Sequence, residues 1–172
     1  MEADDSFWIS TDGQFGVCTR REVLLQLLTW CRNAKREETG GILVGYYQDD
    51  GVMAQIAHVL GPPPDSRAGR TWFRRGVQGV DDMLHQLWRI HRYYYLGEWH
   101  YHPAAAAPFP SLQDHVQMRA IARNTLYACP EPILLIMSDN PSNRWQVRLL
   151  IYPNGQPLTL VPSTCAVSST LE

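Results

Sequence analysis

The sequence predicts an α/β (α+β) domain: a mixed, curved β-sheet flanked by about three helices. Three observations lead there. Short apolar runs bounded by turn residues recur to about residue 160, as strands do. Three segments between them carry apolar residues at helical spacing. Strands and helices alternate without a repeat or a dividing linker, and 172 residues at 45% hydrophobic content suffice for one core. Residues 1–162 are therefore expected to form one domain, with 163–172 as a polar tail.

Phe7-Trp8-Ile9 and Phe15-Gly16-Val17 flank the turn signal Thr11-Asp12-Gly13, which predicts a hairpin. Thr19-Arg20-Arg21-Glu22 has the spacing of a capping box. It precedes Val23, Leu24, Leu27, Leu28 and Cys31, a helix to about Ala34. Gly40 to Tyr47 reads as a buried strand, and Asp49-Asp50-Gly51 turns it into a second, Val52 to Leu60. Gly61 to Arg70 is a loop, and Thr71-Trp72-Phe73 a short strand. Val80 to Arg92 carries Met83, Leu84, Leu87, Trp88 and His91 at helical spacing. Tyr93 onward is a strand that must end at Pro103, which cannot donate to a ladder. Ser111 to Ala128 is helical, with Val116, Ala120, Ile121 and Leu126 toward the core. Ile133 to Met137 is continuously apolar, as a central strand is. Asp139 to Asn143 is a turn, and Trp145 to Tyr152 and Leu158 to Leu160 are the last strands.

The formal net charge is −2 and basic residues form no run, which argues against nucleic acid and membrane surfaces as partners. The apolar stretches are too short to span a bilayer. The acidic start, Met1 to Asp5, is unlike a secretory signal. Cys18, Cys31, Cys129 and Cys165 are scattered without a CxxC pair, so reduced thiols in a cytoplasmic protein are expected, Cys31 and Cys129 in the core.

The chemistry concentrates in Gly97-Glu98-Trp99-His100-Tyr101-His102-Pro103 and Ser111-Leu112-Gln113-Asp114. Residues two apart on a strand share a face, so His100 and His102 can converge on one point. With Asp114 from the next helix they make three ligands, the number that a catalytic zinc uses while keeping a fourth position for water. The plain alternatives are a polar strand face and a helix cap at Ser111-x-x-Asp114. The cap is compatible with the site, since it would aim Asp114. Hydrolysis also needs a general base. Glu98 shares the histidine face and is the nearer candidate on geometry. Glu38 competes only if its segment runs beside the histidine strand.

Glu38-Thr39-Gly40-Gly41-Ile42-Leu43-Val44-Gly45 resembles the first motif of the JAMM (MPN+) zinc metalloproteases. His100-x-His102-Pro103 with Ser111-x-x-Asp114 resembles the second. The likeness runs from about Cys18 to Trp145, and the Gly-Glu-Trp-His form is similar to bacterial stand-alone members. The resemblance implies an MPN/JAMM-like fold with its zinc site at a strand end, and makes 1–162 the metalloprotease domain. It makes His100, His102 and Asp114 the ligands of one Zn2+ per chain. It makes Glu38 the residue that holds and deprotonates the water, Ser111 the oxyanion support, and Glu98 structural.

The implied activity is cleavage after the C-terminus of a ubiquitin-like protein, free or conjugated to a target. The implied setting is a bacterial anti-phage conjugation system with activating and conjugating enzymes encoded nearby. Trimming of a ubiquitin-like or sulfur-carrier precursor, or a non-catalytic MPN scaffold, are the alternatives. Two departures stand out. The spacer from His102 to Ser111 has eight residues, Pro103 to Pro110, where seven is usual. Tyr101 replaces the usual Ser or Thr. The substrate tail is expected between Gly61–Arg74 and the Ala104–Pro110 loop, with Phe109 beside the ligands.

Overall fold

The Thr11–Gly13 turn closes as its residues require. Gly13 takes a left-handed φ of 72°, and the Asp12 carboxylate accepts from Ser10 Oγ and Gln14 N. The strands it joins, β1 (Asp5–Ser10) and β2 (Gly16–Arg20), pair antiparallel. The structure, a computed structural model, describes residues 5–48, 51–105, 107–139 and 145–163. After β2 come α1 (Arg21–Ala34), β3 (Thr39–Tyr47), β4 (Met53–Leu60), β5 (Arg67–Ala68), β6 (Phe73–Arg74) and α2 (Val80–His91). Then follow β7 (Tyr94–His102), α3 (Leu112–Arg123), β8 (Ile133–Asp139), β9 (Trp145–Ile151) and β10 (Leu158–Ser163).

Among the described residues, eight strands curve into a closed barrel in the order β1-β10-β9-β8-β7-β3-β4-β2. The β2–β4 and β7–β8 pairs are parallel and the other pairs antiparallel, so the sheet is mixed as expected. A parallel neighbour requires a crossover, and α3 lies on the one that joins β7 to β8. Period-two alternation splits the long apolar strands between two cores. Leu43, Leu96, Trp99, Leu135 and Met137 pack with Val23, Leu27 and Cys31 of α1. Ile42, Val44, Tyr95, Leu134 and Ile136 pack with Met118 and Ile121 of α3. Strands β3 and β8 are thus buried on both faces, which is why they read as unbroken apolar runs. Cys31 and Cys129 are buried as expected.

Several local expectations fail for tertiary reasons. Thr19 does not cap α1: its hydroxyl donates to the Ile56 carbonyl of the neighbouring strand, and the N-cap Arg20 has no side-chain cap bond. The short strand near Thr71 is Phe73–Arg74, paired with Arg67–Ala68. Helix α3 stops at Arg123, and Asn124 then caps a 3-10 turn, Thr125–Tyr127. That break turns Leu126 outward, 92% exposed, and Val116 and Ala120 also face solvent while Met118 takes the core position. No residue of α2 is fully buried. It leans on the sheet through half-buried Leu84 and Leu87, and Met83 and Trp88 stay exposed. Ser163 ends β10 opposite Phe7, whereas 164–172, the rest of the expected tail, lie outside the described residues. So do Asp49, Asp50, residues 140–143 of the expected turn, and Cys165.

Candidate metal centre

Strand β7 carries His100 and His102 on one face, and the strand ends at His102, before Pro103. The chain then loops to Ser111, the N-cap of α3. Ser111 and Asp114 form a reciprocal capping box. Asp114 N donates to Ser111 Oγ at 3.1 Å, while Ser111 N and Oγ donate to Asp114 Oδ2 at 2.7 and 2.8 Å. This leaves Asp114 Oδ1 facing His100 Nδ1 at 2.6 Å, with Oδ2 3.6 Å from His102 Nε2. The cap and the site are therefore one structure: the cap aims the carboxylate. One ligand atom each from His100, His102 and Asp114 lie within 4.8 Å of one another, two imidazoles and a carboxylate converging as a metal site requires.

The electrostatics follow the geometry. Burial alone would favour a neutral carboxyl at Asp114, but the hydrogen bond and charge of His100, with the Ser111 bonds, hold it down at about 2. Burial would also lower His100, yet the Asp114 and Glu98 carboxylates outweigh it and raise it to about 9. Burial keeps His102 below the ordinary imidazole range, against the pull of Asp114, so it is neutral with a free lone pair at pH 7. The Phe109 backbone beside it also opposes this lowering.

Glu38 comes near the same groups from its place just before β3. Thr39 and Gly40 pair with Tyr101 and His100 across β3 and β7, so Glu38 lies at the end of the ladder near the histidines. Its amide donates to the Gly69 carbonyl at 2.8 Å, which ties it to the Gly61–Arg70 loop. Burial and the Asp114 charge raise its carboxyl above the ordinary range, with His100 opposing. That is the direction a general base at neutral pH needs. The condition that the sequence left open, whether the two motifs run side by side, is met.

Glu98 is placed otherwise. It is fully buried and its oxygens are engaged: Oε1 accepts from Arg75 Nε at 3.1 Å and Tyr95 Oη at 3.3 Å, and Oε2 accepts from Gln117 Nε2 at 2.6 Å. His100 Nε2, buried and without a hydrogen-bond partner, lies 3.8 Å from Glu98 Oε2. The imidazole thus sits between two carboxylates, one at the centre and one behind it. Sequence reasoning missed Arg75 and Gln117, because a loop arginine and a helix glutamine look like surface residues. Phe73, edge-on to His100 at 6.0 Å between ring centroids, walls the site. Phe109 departs from expectation: the residue is 61% exposed and its ring centroid lies 4.4 Å from the Arg148 guanidinium, while its backbone lies beside His102.

The family described as prokaryotic homologs of the JAB domain matches residues 20–149, most of the chain. The chain belongs to this family. The matched span of this JAB domain runs from the start of α1 into β9 and contains Glu38, His100, His102, Ser111 and Asp114. A relative named CD-NTase/cGAS isopeptidase, from Enterobacter hormaechei subsp. hoffmannii, is 36% identical over 90% of this chain and 85% of its own length. A probable metalloprotease, y4qB of Sinorhizobium fredii, is 28% identical over 62% of this chain and 65% of its own length. The solution structure of protein DSY2949 from Desulfitobacterium hafniense shares the fold, with a TM-score of 0.54 at 18% identity, covering 84% of this chain and 88% of that one. No helix among the described residues of this JAB domain is long and apolar enough to cross a membrane.

Proposed function

We propose that this chain is a zinc-dependent isopeptidase that cleaves after the C-terminus of a ubiquitin-like protein joined to a target. One observation carries the reading: His100, His102 and Asp114 converge at the end of β7, with Glu38, just before the adjacent strand β3, near enough to feel the charges of Asp114 and His100. The names of the two relatives support it.

His100, His102 and Asp114 would hold the zinc, which when bound supplies a Lewis acid and an activated water. Glu38 takes the proton from the attacking water and delivers it to the departing lysine amine. Its raised carboxyl suits both halves of that transfer. Ser111 Oγ–H, held at the mouth of α3 by Asp114, turns to the oxygen on which negative charge develops. Phe73 excludes water from the His100 side. The name of the 36% identical relative, CD-NTase/cGAS isopeptidase, supports a conjugate carried on a CD-NTase-type enzyme; a cytoplasmic anti-phage conjugation system is the setting proposed with it.

The test is cleavage of a ubiquitin-like protein joined by an isopeptide bond to a lysine, beside the same protein fused linearly. One zinc per purified chain, and cleavage abolished by chelator and restored by zinc, are expected. Full activity in chelator, or a protein without stoichiometric metal, refutes the reading.

A further inference from the structure

We propose that Tyr101 positions the reacting groups: through Asp139 it ties the segment leading to Glu38 to the segment leading from His102 toward Ser111. The proposal rests on the isopeptidase reading.

Tyr101 lies between the two histidines, so strand alternation turns its side chain to the opposite face. It is 1% exposed, packed beside Trp145 at 5.8 Å between ring centroids. A buried ring is stabilising, but its hydroxyl must find a partner. It donates to Asp139 Oδ1 at 2.8 Å, with the Lys35 carbonyl 3.3 Å away as a second acceptor. The same Asp139 Oδ1 accepts the Ala104 amide at 2.8 Å. The Asp139 oxygen therefore joins the end of β7 to the loop after Pro103, and the Tyr101 hydroxyl adds the residue that follows α1.

The two loop residues share an unusual backbone. Lys35 has φ of 60° and Ala104 φ of 53°, left-handed values that a residue with a Cβ rarely adopts. Such conformations persist where the surroundings hold them. Here the hydroxyl and carboxylate meet both. Lys35 stands three residues before Glu38, and Ala104 two after His102. The ligand histidines are fixed by the β3–β7–β8 ladder and need no such help. Glu38 and Ser111 lie at the ends of loops and do. The usual Ser or Thr of the resembling motif is too short to span this distance, so the larger side chain carries its own solution.

The experiment compares wild type with Tyr101→Phe, Asp139→Ala and Asp139→Asn. It reads zinc per chain, kcat and KM on the conjugate, and amide exchange over residues 35–39 and 103–108. Tyr101→Phe and Asp139→Ala should keep zinc and KM, lower kcat about ten-fold, and speed exchange in those two segments alone. Asp139→Asn keeps an acceptor oxygen and should recover most of kcat. Wild-type kcat and exchange in Tyr101→Phe overturn the proposal. So does loss of zinc, or faster exchange throughout the barrel, either of which marks a packing role only. If Tyr101→Phe does not fold, Asp139→Ala against Asp139→Asn decides. If wild type binds zinc but cleaves nothing, the isopeptidase reading fails, and the exchange comparison still decides whether Tyr101 ties the two loops.

Discussion

Gly40 faces His100 across the β3–β7 ladder, and a Cβ at position 40 would stand 2.9 Å from His100 Cδ2. The same Cβ would meet Phe73 Cε1 at 2.9 Å and crowd the Trp99 carbonyl. The glycine of the first motif thus makes room for the imidazole of the second. Gly40→Ala should push His100 off its place, weakening zinc binding and destabilising the fold by about 1–3 kcal/mol. Zinc stoichiometry and thermal unfolding measure both; a variant that binds zinc as wild type does would show that β3 can yield.

The two glutamates should part company. Glu38→Gln keeps the fold and zinc but lowers kcat by about 10²–10⁴. Glu98→Gln leaves the nearly buried Arg75 guanidinium without its counter-charge, at a cost of about 3–5 kcal/mol, while most activity survives at a temperature where the variant is folded. Paired kcat and unfolding measurements separate them; the reverse ranking would make Glu98 the base.

Ser111→Ala removes both the cap and a hydrogen bond to Asp114. Loss of the cap should cost about 1 kcal/mol of stability. Loss of an oxyanion donor should lower kcat by about 10²–10³ with KM little changed. An equal fall in zinc occupancy would instead assign the whole effect to a misaimed Asp114.

His58, on β4, is held below the ordinary imidazole range by burial first and by nearby His91 second. Its folded value is depressed, so the neutral form is favoured in the fold. The stability this represents is present above about pH 6.5 and is lost as pH falls through the folded value. His58→Gln should therefore shrink the drop in denaturation midpoint between pH 7.5 and 5.5. An unchanged drop would place the acid sensitivity elsewhere.

The separate strands and helices and the clustering of His100, His102 and Asp114 were legible in the sequence, because they rest on local rules. Period-two and helical spacing mark the elements. His100-x-His102 shares a face by strand geometry alone, and Ser111-x-x-Asp114 is a cap by spacing alone. The errors are also local rules overruled. Thr19 could have capped α1, but Ile56 offered its hydroxyl a partner in the sheet. Leu126 had helical spacing, but Asn124 began a new turn before it. That the Glu38 motif runs beside the histidine motif was decided by the β3–β7 pairing, between residues some sixty apart in the chain. The hold on Glu98 was decided by Arg75 and Gln117, arriving from a loop and a helix that spacing does not connect. Spacing along the chain reports which side chains share a face. Which faces meet depends on closing the barrel, and that is a property of all eight strands at once.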